Sequence, residues 1–200
     1  MSKKPRFDRQ QVIEKATNLY WGKGYHATSM RHLQDAIDMR PGSIYAEFGS
    51  KDGVFKAAIE YYVQVSLDQL EQLRAQSDSP LNTLQRFVRL VVIESRQNAP
   101  SSMCLLAKTV AELTEEQGEL FEQAKAALKR VEDAFAKLMT EAQQHNEISK
   151  QKDPQQLARL LQIQITGLRV YAKTCDDIEI LEAMIEDVFA HSQSGLNGVQ

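Results

Sequence analysis

Residues able to do chemistry are sparse in this 200-residue chain, and their spacing speaks against catalysis. Cys104 and Cys175 lie outside any CxxC pair and are too few for a disulfide framework, so both read as reduced thiols. His26, His32, His145 and His191 lack the HxxxH or HExxH spacing of a metal site and read as solvated or capping residues. Glu112, Glu115, Glu116, Glu119 and Glu122 form an acidic run without the alternating Asp/Asn loop that holds a cation, and read as a solvated helix face. With no glycine-rich phosphate loop and no Ser/His/Asp constellation, no enzyme, metal or cofactor is expected. Cys104 has two readings. After Asn98-Ala99-Pro100, Ser101 or Ser102 can cap a helix whose first turn contains Cys104, and a helix N-terminus stabilises thiolate. A small free cysteine equally suits a buried structural position. Cys175 is expected to be a bystander beside the last inter-helix turn.

The charge pattern suggests a polyanionic partner for one end of the chain. The net charge is −3, yet residues 1–58 carry ten Lys/Arg against six Asp/Glu, or +4, and the remainder is −7. A basic head on an acidic body fits a protein whose first segment meets nucleic acid. A content of 42% hydrophobic and 26% charged residues, with 9 Gly and 5 Pro, excludes disorder and fibres. No uninterrupted apolar run approaches the ~20 residues a membrane helix needs and MSKKPRF leads into no apolar stretch, so no membrane span is expected, and the protein is expected to be cytoplasmic.

The elements that must position these residues are helical nearly throughout, so the fold class is all-α, with about nine helices. Val12, Ile13, Ala16, Leu19 and Tyr20 mark a first helix ending at Gly22-Lys23-Gly24, where glycine suits a left-handed terminus. Thr28 or Ser29 can cap a second helix carrying Met30, Leu33 and Ile37. A third starts at Pro41, carries Ile44, Tyr45 and Phe48, and breaks at Gly49. Ser50 caps a fourth that runs to about Gln76, and later helices are expected near 81–97, 102–113, 116–146, 155–173 and 177–191. The tight turn Asp38-Met39-Arg40 makes the second and third axes cross steeply, as in a helix-turn-helix. The third helix then projects Arg40, Ser43, Glu47 and the edge of Tyr45, while Ile44 and Phe48 anchor it. Gly42 permits close approach to another surface, and free N–H groups at the starts of the second and fourth helices can donate to phosphate.

The run YHATSMRHLQDAIDMRPGSIYAEFGSKDGVF, Tyr25 to Phe55, resembles the DNA-binding signature of TetR/AcrR-type transcriptional regulators. That resemblance implies an N-terminal three-helix helix-turn-helix domain at 1–50 and a C-terminal effector-binding and dimerisation domain at 51–200. It implies that Thr28, with Ser29 beside it, and Lys51 contact DNA phosphates, and that Tyr45 sets its hydroxyl on the backbone. Arg40, Pro41, Gly42, Ser43 and the pair Ala46-Glu47 fall at recognition-helix positions, with Arg40 the leading candidate for a bidentate guanine contact. Three residues depart from the pattern. Asp38 stands at the turn glycine, Arg40 at the usual Ser/Thr cap, and His32 at the acidic residue that completes a capping box with Ser29. Glu47 should repel phosphate unless it accepts from cytosine or pairs with Lys51.

For the body, the resemblance implies a ligand cavity enclosed by helices four to seven and a four-helix bundle formed by the last two helices and their symmetry mates. The fourth helix would be the lever between ligand and DNA. A subgroup of the family carries a cysteine followed by leucines, as at Cys104, through which some members sense electrophiles or oxidants; Lys173 resembles a lysine near that cysteine. Tyr62, Phe87 and Phe121, with Tyr61, Phe135, Met139 and Tyr171, could line a cavity, although their helical spacing is also that of core packing. The expected partners are a palindromic double-stranded operator, a second copy of the chain, and a small-molecule effector or reactive electrophile. The competing reading is a helical scaffold that has lost operator binding.

Overall fold

The computed structural model describes residues 7–114 and 117–193. Among them the secondary structure is helical: α1 (Arg9–Lys23), α2 (Met30–Ile37), α3 (Pro41–Phe48), α4 (Lys51–Arg74), α5 (Pro80–Val92), a 3₁₀ turn (Glu94–Gln97), α6 (Leu105–Glu112), α7 (Gly118–Gln144), α8 (Pro154–Tyr171) and α9 (Ile178–Gln193). None is long and apolar enough to cross a membrane. Glu115 and Glu116 fall outside the described residues, as does the side chain of His191.

The chain divides into two compact units, one from the described parts of Met1–Gln64 with Leu105–Ala127, the other from Val65–Cys104 with the described parts of Leu128–Gln200. In the first, Val12, Ile13, Ala16 and Tyr20 of α1, Leu33 and Ile37 of α2, Ile44 of α3 and Val54, Phe55, Ala58 and Ile59 of α4 are buried. Tyr20 and Phe55 meet edge to face with ring centres 4.7 Å apart, and the Tyr20 hydroxyl donates to the Lys51 carbonyl at 3.2 Å. In the second, Leu84, Phe87 and Val88 of α5, Phe135 and Met139 of α7, Leu161 and Ile165 of α8, and Leu181 and Ile185 of α9 share one core. Cys175 is buried in that core, where its thiol donates to the Asp177 carbonyl at 3.5 Å.

Local signals place most helix ends. Asp8 caps α1, Ser79 caps α5 and Asp153 caps α8, with proline at the first turn of the latter two. Ser50 Oγ accepts from Gly53 N–H at the start of α4, as expected. Three ends differ. Gly24 has φ 91° and ψ 173°, an extended positive-φ conformation and not the left-handed helical one. The segment expected to finish α5 tightens into the 3₁₀ turn, with Ser95 Oγ bonding back to the Val91 carbonyl at 3.0 Å. α6 begins at Leu105, so Cys104 stands immediately before the helix and not in its first turn.

Between α2 and α3, Asp38 adopts the left-handed conformation, φ 53° and ψ 48°, that glycine usually supplies at such a turn. Asp tolerates this better than most residues. Asp38→Gly is expected to leave stability within about 1 kcal/mol of wild type, the lost strain offsetting the freer unfolded chain. Asp38→Val should lose about 2 kcal/mol, because a β-branched residue resists this backbone. Urea midpoints check this ordering, and equal midpoints for the two variants would contradict it.

Candidate nucleic-acid interface

α3 buries little of itself. Ile44 is fully buried and Phe48 half-buried, whereas Pro41, Gly42, Ser43, Tyr45, Ala46 and Glu47 are exposed. A Cβ added at Gly42 would meet nothing within 4 Å, so open space surrounds that backbone. Arg40 is exposed at the cap position of α3 and makes no capping hydrogen bond, which leaves its guanidinium for other work. Tyr45 is 52% exposed, placing its ring on the open face. The expected readout positions thus share one projecting helix.

The start of α2 takes one of its two expected caps. Ser29, not Thr28, is the cap: its Oγ accepts from His32 N–H at 3.2 Å, and His32 Nδ1 accepts from Ser29 N–H at 3.2 Å. The imidazole thereby completes the capping box that an acidic residue usually completes. Thr28 is fully buried, with its hydroxyl donating to the Gly24 carbonyl at 2.6 Å. A phosphate contact through the Thr28 side chain is therefore corrected to a structural role, because a buried hydroxyl already spent on the backbone cannot reach solvent.

Tyr25 organises the corner between α1 and α2. Its hydroxyl donates to Asp52 Oδ1 at 2.5 Å, its carbonyl accepts from Lys51 Nζ at 2.7 Å, and its N–H donates to Glu112 Oε2 at 3.0 Å. The Lys51 ammonium lies 4.0 Å from the Tyr25 ring centre, and burial lowers its pKa against the opposing pull of Asp52 and Glu112. Lys51 thus ties the start of α4 to the α1–α2 corner. Glu112 also accepts from His26 N–H at 2.7 Å, so this carboxylate caps backbone donors and does not belong to a solvated face. One turn earlier on α6, Lys108 Nζ donates to the carbonyls of Trp21 at 3.2 Å and Gly22 at 2.7 Å, at the C-terminal end of α1. Of the other acidic residues, Glu119 pairs with Lys56 and Glu122 with Lys125.

Glu47 does not pair with Lys51. Arg9 Nε donates to Glu47 Oε1 at 2.7 Å, and the same guanidinium lies 5.5 Å from the Phe48 ring centre.

The body residues fall into separate environments. Phe87 is a core residue, 5.6 Å from Phe135 edge to face. Tyr62 packs edge to face on Trp21 at 5.1 Å, and Phe121 lies beneath the Lys125 ammonium at 5.5 Å. In the second unit, one pocket of about 490 Å³ is lined by Met139, Gln156, Leu157, Leu161, Gln164 and Val188 among others. Another, of about 390 Å³, lies between Leu70 and Arg74 of α4 and Leu138 and Glu141 of α7. Neither is lined by Tyr62, Phe87 or Phe121. Cys104 is half-buried and Lys173 is exposed in the turn after α8. The α8 residue that reaches the segment before Cys104 is Arg169, 5% exposed, whose Nε donates to the Ser102 carbonyl at 2.6 Å. Ser102 does not cap α6: its hydroxyl is buried without a hydrogen-bond partner among the described residues.

Sequence profiles of known families match both segments of the chain. The profile of bacterial regulatory proteins, tetR family, matches residues 12–58, and that of the tetracyclin repressor-like C-terminal domain matches residues 80–188. The chain belongs to the TetR family. Across 177 residues this TetR protein is 27% identical to the HTH-type transcriptional repressor ComR of Escherichia coli (strain K12), covering 88% of this chain and 84% of ComR. Its fold matches that of the regulator CifR, solved as a cysteine mutant with 26-bp double-strand operator DNA, with a TM-score of 0.82 at 24% identity over 94% and 98% of the two chains. It also matches the reduced form of E. coli NemR, with a TM-score of 0.75 at 16% identity over 93% and 95%. A DNA-binding helix-turn-helix regulator is what the family and the α2–α3 geometry together make of this chain.

Sequence reasoning missed three residues of the first unit. Glu112 was hidden in an acidic run because its backbone partners lie 86 and 87 residues away. Gly53 sits inside the signature, but only the packing reveals that an added Cβ would lie 1.8 Å from the Phe48 carbonyl oxygen. Arg9 lies outside both matched segments, and its one available signal was a cation in the first turn of a helix, where the macrodipole disfavours it.

Proposed function

We propose that this TetR protein is a homodimeric transcriptional repressor that binds a palindromic operator through α3. It is released by a small apolar ligand or by electrophile or oxidant modification of Cys104. The observation that carries the DNA reading is α3 itself: Ile44 alone anchors it deeply, and a contiguous set of side chains stands exposed beside an uncommitted Arg40. ComR is named a repressor and CifR was solved on operator DNA, which supports the same assignment here. Function divides near residue 50, with DNA recognition before it and effector binding and dimerisation after. The protein acts in the cytoplasm, where chromosomal DNA is, and has no catalytic step. In the interface Arg40 reads a base edge, Pro41, Gly42, Ser43, Tyr45 and Glu47 line the groove, and Ser29 and Lys51 flank the phosphates.

Dimerisation is supported by a stripe of exposed apolar residues on α8, Leu160, Ile163, Val170 and Tyr171, with Ile178 and Ile180 at the start of α9. These helices bury Leu161, Ile165, Leu181 and Ile185 on their other sides, so one copy of the chain leaves the stripe uncovered. Release through Cys104 is supported by its partial exposure just ahead of α6 and by the existence of the CifR cysteine mutants and a reduced form of NemR. The scaffold alternative rested on an uncompensated Glu47 and an uncapped α3, and the Arg9 pair answers the first of these.

Fluorescence anisotropy with duplex DNA from beside its own gene, at two salt concentrations, tests the reading. Affinity that falls steeply with salt is expected, and no binding near physiological salt would favour the scaffold. Arg40→Ala should relax sequence preference, whereas Lys51→Ala should weaken all sequences about equally. Quinone or hypochlorite should release wild type but not Cys104→Ser, and retained release would remove the cysteine from the mechanism.

A further inference from the structure

A carboxylate on the open face of α3 should oppose DNA, yet Glu47 does not stand alone. Arg9 Nε holds its Oε1 at 2.7 Å, and the guanidinium rests 5.5 Å from the Phe48 ring centre. Stability is a poor reason for the pair, since its side chains are 57% and 32% exposed and such pairs contribute little. Nor does α1 gain from it, because a cation in the first turn faces the positive end of the helix macrodipole. What the pair determines is placement. Glu47 takes the Nε–H edge of the guanidinium, and the terminal Nη groups make no hydrogen bond to the described residues. A planar, multiply donating cation held on one edge by a carboxylate and on one face by an aromatic ring can still accept an oxyanion on its remaining edge.

Resting on the DNA-binding reading, we propose that Arg9 is a phosphate-binding residue of the interface. Glu47 and Phe48 hold it beside the recognition helix so that its Nη groups meet a backbone phosphate of duplex DNA. Glu47 then serves binding through Arg9, and its charge is neutralised where the duplex passes. The contact is to phosphate, so it adds affinity without sequence preference.

Anisotropy with a mixed-sequence duplex of about 30 base pairs, titrated between about 50 and 200 mM salt, measures such contacts directly. Arg9→Ala is expected to lower affinity about fivefold per protomer and to reduce the log–log salt slope by about 0.9 per protomer, the release of one counterion. The double variant Arg9→Ala/Glu47→Ala decides between phosphate binding and mere neutralisation of Glu47. It should stay weak with the reduced slope; recovery of wild-type affinity and slope would overturn the proposal. Thermal melting of each variant should match wild type, as the pair is exposed, and an affinity loss that tracks a loss of folded protein would likewise overturn it. A wild-type protein with no salt-dependent binding defeats the DNA-binding reading and this proposal together. Steep wild-type binding with an unchanged Arg9→Ala slope defeats the proposal alone.

Discussion

Gly53→Ala is expected to destabilise the first unit by about 3 kcal/mol, the upper end of what overpacking usually costs. The new Cβ would lie 1.8 Å from the Phe48 carbonyl oxygen and 3.0 Å from the carbonyl carbon. Most overpacked cores relieve themselves by rotating a side chain, but here the obstacle is backbone, so α3 or α4 must move. Gly53 also donates its N–H to Ser50 Oγ at 3.0 Å, which ties the same peptide to the cap of α4. Because Phe48 ends α3, the displacement is passed to the recognition helix, and duplex affinity should fall along with stability. Gly42→Ala is the control: with nothing within 4 Å of the added Cβ, its fold stability should be close to wild type. Urea unfolding of the two variants checks the contrast, and a Gly53→Ala loss below about 0.5 kcal/mol would contradict it.

Tyr25→Ala is expected to cost about 2–3 kcal/mol, below the range for a fully buried aromatic because Tyr25 is only half-buried. The substitution removes the ring that packs 4.9 Å from Phe55 and beneath Lys51, together with the hydroxyl bond to Asp52. Lys51 then loses its seat, so affinity for all duplexes should fall as well. Tyr25→Phe keeps the ring and loses only the hydroxyl bond, and about 1 kcal/mol is expected. The hydroxyl also carries a pH signature. Burial first, then the hydrogen bond to Asp52 and its charge, push Tyr25 from 10.0 up to about 12. A raised pKa means that folding favours the neutral phenol. Its contribution to stability is therefore fully present below pH 10 and is lost as pH rises through about 12. A difference titration of tyrosinate absorbance between wild type and Tyr25→Phe should isolate one group with its midpoint near 12, and a midpoint at 10 would contradict the assignment.

How much of this was legible in advance depended on the range of the interaction. The first helix, the Pro41 start of α3 and the Ser50 cap were readable because each depends on residues within a turn of one another, and the left-handed Asp38 was readable through the resemblance, which has a glycine at that turn. The exposed face of α3 was readable for the same reason, since helical periodicity assigns Ile44 inward and Ser43 and Glu47 outward. The partners were not. Glu47 had a plausible lysine four residues away at Lys51, but Lys51 is drawn to the carbonyl and ring of Tyr25, and Glu47 meets Arg9 across 38 residues of chain. Thr28 and Ser29 are both good caps by type, and burial decided between them. In the body, Phe87 and Phe121 looked alike in the sequence, yet one is core and the other lies beneath a lysine.

The sequence alone therefore determined an all-α chain, a helix-turn-helix near its start and the residues exposed on α3. These follow from periodicity, capping and turn chemistry, which act between near neighbours. The tertiary structure alone decided that Glu112 caps the α1–α2 corner, that Gly53 must lack a side chain, that Thr28 is structural and that Arg9 accompanies Glu47. Each of these depends on which distant atoms fall within about 3 Å of one another. Only the packing of helices brings such atoms together.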